Sequence, residues 1–505
     1  VSLKKNVIAN YIGQGWTSLM GIAFVPVYIS YLGMESYGLI GVFALLQAWL
    51  TLLDMGMTPT LNREMARFQA GAHSVESIRD LLRSLEGICL AMALLIWGGV
   101  SLSSGWLAAH WLKVEKLPLD TVAGAIAIMA LMASLKFVEN FYRSALMGLQ
   151  RQVWLNTAGS LLATLRWAGA VGVLAWVAPS IRAFFLWQAF VSILNVLAFI
   201  VAMYRSLPPA SRPARFSPDQ LQAISRFAGG MMVQSLLVLL LMQVDKIILS
   251  RLLTLQMFGY YTLAGTVAAA LYQLTTPVTQ AYYPRFSELV VRDDQEELKR
   301  VYHHGAQLVS VMLGPAALVL VFFGGRILQL WTGNAVVAQQ AGPLLALLAL
   351  GTMLNGLIHI PYMLALAHGW SGFAVRVNSV AVAVLVPAII WATPRYGAIG
   401  AASIWVLLNC GYLLLATRFL YSRLMSSERR AWFLQDLLSP LVAASAAVLL
   451  LWWLSPVFSS RLLETAWLAV VSGCTLAAGA FAAPTIRRGV LMTVQRRSGT
   501  CSAVT

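Results

Sequence analysis

Charge is scarce in this chain. Asp, Glu, Lys and Arg together make up 11% of its 505 residues, where a soluble globular chain carries about a quarter. Acidic residues are the scarcer sign, 19 against 35 basic ones. Long hydrophilic stretches are also missing: the longest, roughly 61–84, 205–223 and 284–302, are each too small for a catalytic domain. The four cysteines (Cys89, Cys410, Cys474 and Cys501) show no CxxC or paired spacing, so neither a thiolate metal site nor a disulfide framework is expected. No A-x-A site interrupts the apolar run behind Lys4 and Lys5, and that run reads as a retained anchor instead of a cleaved signal peptide. No nucleotide-binding signature occurs.

What is present is apolar. Hydrophobic residues reach 59% and the mean hydropathy is +0.75, more apolar surface than a soluble core of this size could hide. Stretches long enough to cross about 30 Å of hydrocarbon at 1.5 Å per residue recur throughout. They lie near 7–31, 37–60, 85–109, 119–147, 153–177, 183–204, 224–250, 258–283, 303–328, 341–366, 372–392, 398–420, 436–454 and 463–483. The expected fold is an all-α polytopic membrane protein of about fourteen transmembrane helices. Assigning the amino terminus and alternate loops to the cytoplasm collects about 25 basic residues on that side against about 7 on the other, so both termini are expected inside. The formal charge of +16 is then mostly a topology signal, and nucleic-acid binding is not expected.

The chain also resembles itself. Tyr31-Leu32-Gly33-Met34-Glu35-Ser36-Tyr37-Gly38 joins expected helices one and two, and the segment from Arg251 to Met257-Phe258-Gly259-Tyr260-Tyr261 joins seven and eight. Each is a tight turn ending in aromatic-Gly, and each following helix runs into a basic segment (Arg63, Arg67; Arg285, Arg292). Two six-helix lobes related by a pseudo-two-fold axis are expected: an N-terminal lobe over 1–210, a C-terminal lobe over 211–430, two additional helices over 431–485 and a cytoplasmic tail over 486–505.

Charged side chains inside spans are costly and usually face a cavity or one another. In the fourth span Lys136, Glu139, Asn140 and Arg143 fall at i, i+3, i+4 and i+7, one polar stripe. It either lines a hydrated cavity or is a self-satisfied set in which Glu139 pairs with Lys136 and Arg143. Arg166 sits mid-span in the fifth helix with no acidic residue in that helix. It calls for an anionic ligand or for a carboxylate from another helix such as Glu139. In the seventh, Gln234 and Asp245 share a face while Lys246 points about 100° away, an arrangement that would also serve as an interlobe salt bridge. By depth, Arg143 lies inward, Lys136 and Arg166 near the middle and Lys246 outward, a stepwise path for a phosphate-bearing headgroup. Asp54 reads as a helix-end residue facing Arg63 or Arg67, and His359 as a hydrogen-bonded buried histidine more than a proton relay. Pro26, Pro277, Pro315, Pro361 and Pro387 are candidate kinks.

Several strings resemble a known family. Asn10-Tyr11-Ile12-Gly13-Gln14-Gly15-Trp16, Leu53-Asp54-Met55-Gly56, Gln243-Val244-Asp245-Lys246-Ile247-Ile248 and Tyr283-Pro284-Arg285-Phe286-Ser287, with the two turns above, are similar to bacterial polysaccharide-export flippases of the O-antigen type. That family belongs to the multidrug, oligosaccharidyl-lipid and polysaccharide exporter superfamily. The resemblance implies flipping of an undecaprenyl-diphosphate-linked oligosaccharide, such as an O-antigen repeat unit of lipopolysaccharide, from the cytoplasmic to the periplasmic leaflet of the inner membrane. Gln14, Gln243, Asn195, Gln273, Asn355 and Asn378 would meet the sugars, Asp245 and the cations would line the cavity, and the polyprenyl tail would stay among membrane lipids. A polysaccharide polymerase and chain-length machinery are the implied protein partners. No cofactor is expected; the driving force would be a proton or sodium gradient or the substrate gradient itself. An ion-coupled drug or cation antiporter of the same superfamily is the nearest rival, disfavoured by mid-span charges that lean basic. A membrane glycan polymerase or ligase would need larger outer loops.

Overall fold

The computed structural model describes residues 13, 15–54, 56–69, 71–218, 243–456, 458 and 460–488. Gln14 and Gln234 lie outside the described residues. The architecture is all-helical, as a chain that must satisfy its backbone without water requires. After a helical segment at 15–23 come α1 (Val25–Leu53), α2 (Met57–Gln69), α3 (Val75–Trp106), α4 (Leu119–Gly148), α5 (Gln152–Trp176) and α6 (Ile181–Ser206). A further helical segment covers 243–252. Then follow α7 (Leu255–Ala269), α8 (Tyr272–Arg292), α9 (Gln295–Thr332), α10 (Ala335–Leu357), α11 (His359–Ala367), α12 (Ser371–Gly411), α13 (Thr417–Leu424), α14 (Ser439–Trp453) and α15 (Arg461–Ala482). Three π turns extend helices at Leu107–Trp111, Tyr412–Ala416 and Trp432–Leu438. Among the described residues, ten helices are long and apolar enough to cross a membrane. The chain divides by internal packing into two units, Val1–Gly259 and Tyr260–Thr505.

Glycine and proline mark where helices break. α1 and α12 each contain one non-helical residue, Gly33 (φ 77°) and Gly397 (φ 60°), left-handed conformations that residues with a Cβ rarely adopt. They fall in the gaps between the expected spans 7–31 and 37–60, and 372–392 and 398–420. Pro361 has no N–H for the Leu357 carbonyl, and α10 ends at that residue. Pro315 and Pro387, by contrast, cause no break of their own: the helix runs on past each of them.

The first unit is built on α4, whose two ends serve two apolar clusters. Val122, Ile126 and Met129 pack with Tyr28, Leu174, Phe184 and Phe185. Phe137, Phe141 and Tyr142 pack with Leu61, Leu81, Leu85, Phe199 and Met203. The outward faces carry Leu94, Leu102 and Trp176, up to 91% exposed, the pattern of a helix bathed in lipid.

The second unit centres on α9, 38 residues long and thus about 57 Å, well beyond the hydrocarbon thickness. Its polar first quarter runs from Gln295 to His304. There His303 Nδ1 lies 2.5 Å from Asp436 Oδ2 and its Nε2 3.3 Å from Glu428 Oε2. Gln307 donates to Asp436 Oδ1 at 2.8 Å and accepts from Thr485 N at 2.8 Å. One network therefore joins α9, the π turn at Trp432–Leu438 and the chain beyond α15.

Candidate functional site

α4 brings its polar stripe against α5 and α6 in the first unit. Lys136 and Glu139 are one helical turn apart, and Lys136 Nζ donates to Glu139 Oε1 at 2.7 Å. Glu139 is buried while the lysine side chain is one-third exposed. Half of the self-satisfied arrangement is thus realised. Arg143 completes none of it: half-buried at the next turn, it has no ion-pair partner among the described residues, and Asn140 beside it is exposed.

Arg166 approaches from α5. Its Nη2 donates to Ser192 Oγ at 3.2 Å on α6, and Ser192 Oγ in turn donates to Gln188 O at 2.8 Å. Glu139 acts on Arg166 through space but lies outside ion-pair distance. A guanidinium carries five N–H donors; a single serine hydroxyl leaves most of them for another acceptor. The bridge from Arg166 to Glu139, one of the two arrangements expected for this arginine, does not form.

Sequence reasoning missed most of the facing stripe. Gln188, Ser192 and Asn195 stand at i, i+4 and i+7 on α6, all buried, and of these only Asn195 is among the expected site residues. The Gln188 amide nitrogen is buried with no hydrogen-bond partner among the described residues, an uncommon state for a buried donor. The signal was the helical spacing of three uncharged polar residues in an apolar span. It was weaker than a run of charges because Ser and Asn satisfy themselves on their own helix, as the Asn195 amide does on Val191 O at 3.1 Å.

The remaining expected residues sit elsewhere. Lys246 Nζ donates to Gln243 Oε1 at 3.2 Å within segment 243–252. Asp245 on the same segment is half-buried and has interaction partners of its own. Gln273 is exposed near the start of α8 in the second unit. Asn355 donates to Asn409 Oδ1 at 2.8 Å and accepts from the Tyr272 hydroxyl at 2.9 Å, an internal polar lock. Asp54 is a helix-end residue as expected, but its carboxylate accepts from Thr58 N at 3.1 Å at the start of α2, not from Arg63 or Arg67. His359 stacks on Tyr272 with ring centroids 5.7 Å apart. Among the described residues no group of His, Cys, Asp and Glu could hold a metal ion.

Thus α4 and α5 carry four charged groups in the first unit: a paired Lys136–Glu139, an Arg143 with no ion-pair partner among the described residues, and an Arg166 held by one hydroxyl from α6. Such a set can grip the oxygens of a phosphate without catalysing anything at it.

Residues 3–290 match the family model described as polysaccharide biosynthesis protein. The chain is 21% identical over 434 residues to a Shigella flexneri protein assigned as an O-antigen transporter, covering 84% of this chain and 99% of that one. It is 25% identical over 379 residues to the succinoglycan biosynthesis transport protein ExoT of Rhizobium meliloti (strain 1021), covering 70% and 69% respectively. Among solved structures, lipid II flippase MurJ in an inward closed conformation superposes with a TM-score of 0.71 at 13% identity, over 94% of this chain and 98% of that one. An inward-facing multidrug resistance MATE family transporter of the MOP superfamily gives 0.63 at 14% identity, over 81% and 96%. At such identities the two structures establish a shared fold and nothing finer.

Proposed function

The chain belongs to the polysaccharide biosynthesis protein family, and from that premise we propose that it flips an undecaprenyl-diphosphate-linked oligosaccharide from the cytoplasmic to the periplasmic leaflet. It is a multi-pass membrane protein and a polysaccharide transporter of the MOP superfamily, and its relatives are transporters, not enzymes. In this reading the membrane is the bacterial inner membrane, both termini are cytoplasmic, and two six-helix lobes with an additional helix pair alternate in access.

The observation that carries the proposal is the state of Arg143 and Arg166. A salt bridge built for packing would leave neither cation without a carboxylate, because an unpaired charge in low dielectric costs several kcal/mol, on the order of 3. A diphosphate supplies what both lack. The sugars would meet Asn140, Gln188 and Asn195, while the polyprenyl chain stays in lipid. A cationic drug would meet the same arginines as repulsion, which disfavours the antiporter reading.

The test is flipping of a lipid-linked oligosaccharide in reconstituted vesicles by the Arg166→Gln and Arg143→Gln variants. Transport should fall at least tenfold in each, with insertion and thermal stability retained. Full transport by the double variant would remove the proposal.

A further inference from the structure

A cationic cavity lies in the second unit. It measures about 530 Å³ and opens between the π turn at Tyr412–Ala416 with the start of α13 on one wall and the segment 426–434 on the other. Leu414 and Leu434, 54% and 45% exposed, line its apolar side. Arg429, Arg430, Ser426 and Ser427 line its polar side. Both arginines are exposed and have no ion-pair partner among the described residues. Glu428, the acidic neighbour, is already engaged: Lys299 lies 3.6 Å from one oxygen and His303 3.3 Å from the other. Burial works against its charge, yet hydrogen bonds from Ser427 and His303 and the charges of His303 and Lys299 hold its carboxyl below the usual range. The cavity therefore carries two uncompensated positive charges.

A second, independent observation comes from Trp432. It lines the cavity and is only 1% exposed, yet its indole N–H is buried without any acceptor among the described residues. A buried tryptophan usually finds a partner for that donor. Here the missing partner is an acceptor that none of the described residues supplies. Both walls also carry π turns, which recur at functional positions in helices.

We infer that this cavity holds the phosphate of an anionic glycerophospholipid resident in the membrane. Arg429 and Arg430 take the phosphate oxygens, Trp432 Nε1–H donates to a headgroup or ester oxygen, and the acyl chains leave along Leu414 and Leu434. The exposed leucines decide for a membrane lipid over free phosphate, since a soluble anion gains nothing from an apolar wall. Basic pockets between helices at the cytoplasmic surface are where such headgroups bind, and two arginines near the headgroup plane correspond to roughly tenfold or more in affinity. Assignment to the inner leaflet rests on the topology in the proposed function; binding itself does not.

The experiment is native mass spectrometry of the full chain in detergent, titrated with phosphatidylglycerol and separately with phosphatidylcholine. The wild type should retain phosphatidylglycerol about tenfold more tightly, and R429Q/R430Q should lose that preference with an unchanged lipid-free melting temperature. Trp432→Phe should weaken retention severalfold. Equal retention of both lipids, or phosphatidylglycerol adducts that survive R429Q/R430Q, would overturn the inference. So would displacement of phosphatidylglycerol by an equal concentration of inorganic pyrophosphate, which would show that the acyl wall contributes nothing. The readout is lipid occupancy and not flipping, so its failure is separate from a failure of the transport reading.

Discussion

Gly259 packs directly on Gly38: a Cβ at Gly259 would sit 2.6 Å from the carbonyl oxygen of Met34 and 3.2 Å from Gly38 N. Reciprocally, a Cβ at Gly38 would collide with the carbonyl oxygen of Leu255. The two turns that the sequence pairs as a repeat are thus backbone to backbone within the first unit. The loop before α4 closes over them, since Leu255 N donates to Lys113 O at 2.8 Å and Lys113 Nζ to Leu252 O at 2.9 Å.

Because the colliding atoms are main chain and not a flexible side chain, neither turn can yield to a methyl group. Gly259→Ala and Gly38→Ala should each lower stability by about 2 kcal/mol or more, in the range of strained small-to-large changes. Gly87, helical and with open space around its α-carbon, is the control, and Gly87→Ala should be neutral or stabilising. Thermal unfolding of the three variants in detergent decides it: equal melting temperatures would mean that the turns part easily.

Lys136 and Arg143 lie on one face of α4 but should respond in opposite ways. Lys136→Gln strands the buried Glu139 carboxylate and should cost roughly 3 kcal/mol, much of it recovered in Lys136→Gln/Glu139→Gln. Arg143→Gln removes a cation without an ion-pair partner, so its stability should equal or exceed that of the wild type while transport falls. A melting temperature lowered as much by Arg143→Gln as by Lys136→Gln would show that Arg143 is structural.

The α4 stripe was legible in the sequence because lipid tolerates charge poorly, so four polar residues at helical spacing stand out within an apolar span. The breaks at Gly33 and Gly397 were legible too, each a glycine between two spans. Arg166 was visible, but its partner was not: Ser192 is 26 residues away, and a serine in a membrane helix more often bonds to its own backbone. The His303 network was invisible because its members come from α9, the 428–436 segment and Thr485, a convergence that periodicity does not encode. Proline was an unreliable guide: Pro361 goes with the end of α10 at Leu357, and Pro315 marks nothing.

Ser192 positions Arg166 without facing a substrate of its own. Ser192→Ala should cost about 1 kcal/mol in stability, the worth of one hydrogen bond, yet reduce flipping severalfold by freeing the guanidinium. Ser192→Thr keeps the hydroxyl and should restore most of the activity. If Ser192→Ala flips at the wild-type rate, Arg166 is held by something other than this hydroxyl.

Asp436 is 1% exposed and accepts from both His303 and Gln307, while Gln307 fixes Thr485 just beyond α15. Asp436→Leu leaves the half-buried His303 and the buried Gln307 without this acceptor, at about 1–3 kcal/mol for the buried amide, and removes what orients Gln307 toward Thr485. The segment carrying Arg487 and Arg488 should then detach, and trypsin should cut there faster in Asp436→Leu than in the wild type. Gln307→Leu should give the same cleavage while sparing the His303–Asp436 pair, which separates anchoring of the segment from loss of the buried ion pair. Adding His303→Leu to Asp436→Leu should recover part of the melting temperature, because an apolar pair is cheaper to bury than half a network, but should not restore protection from trypsin. Unchanged cleavage in both single variants would mean that the segment beyond α15 is held by packing alone.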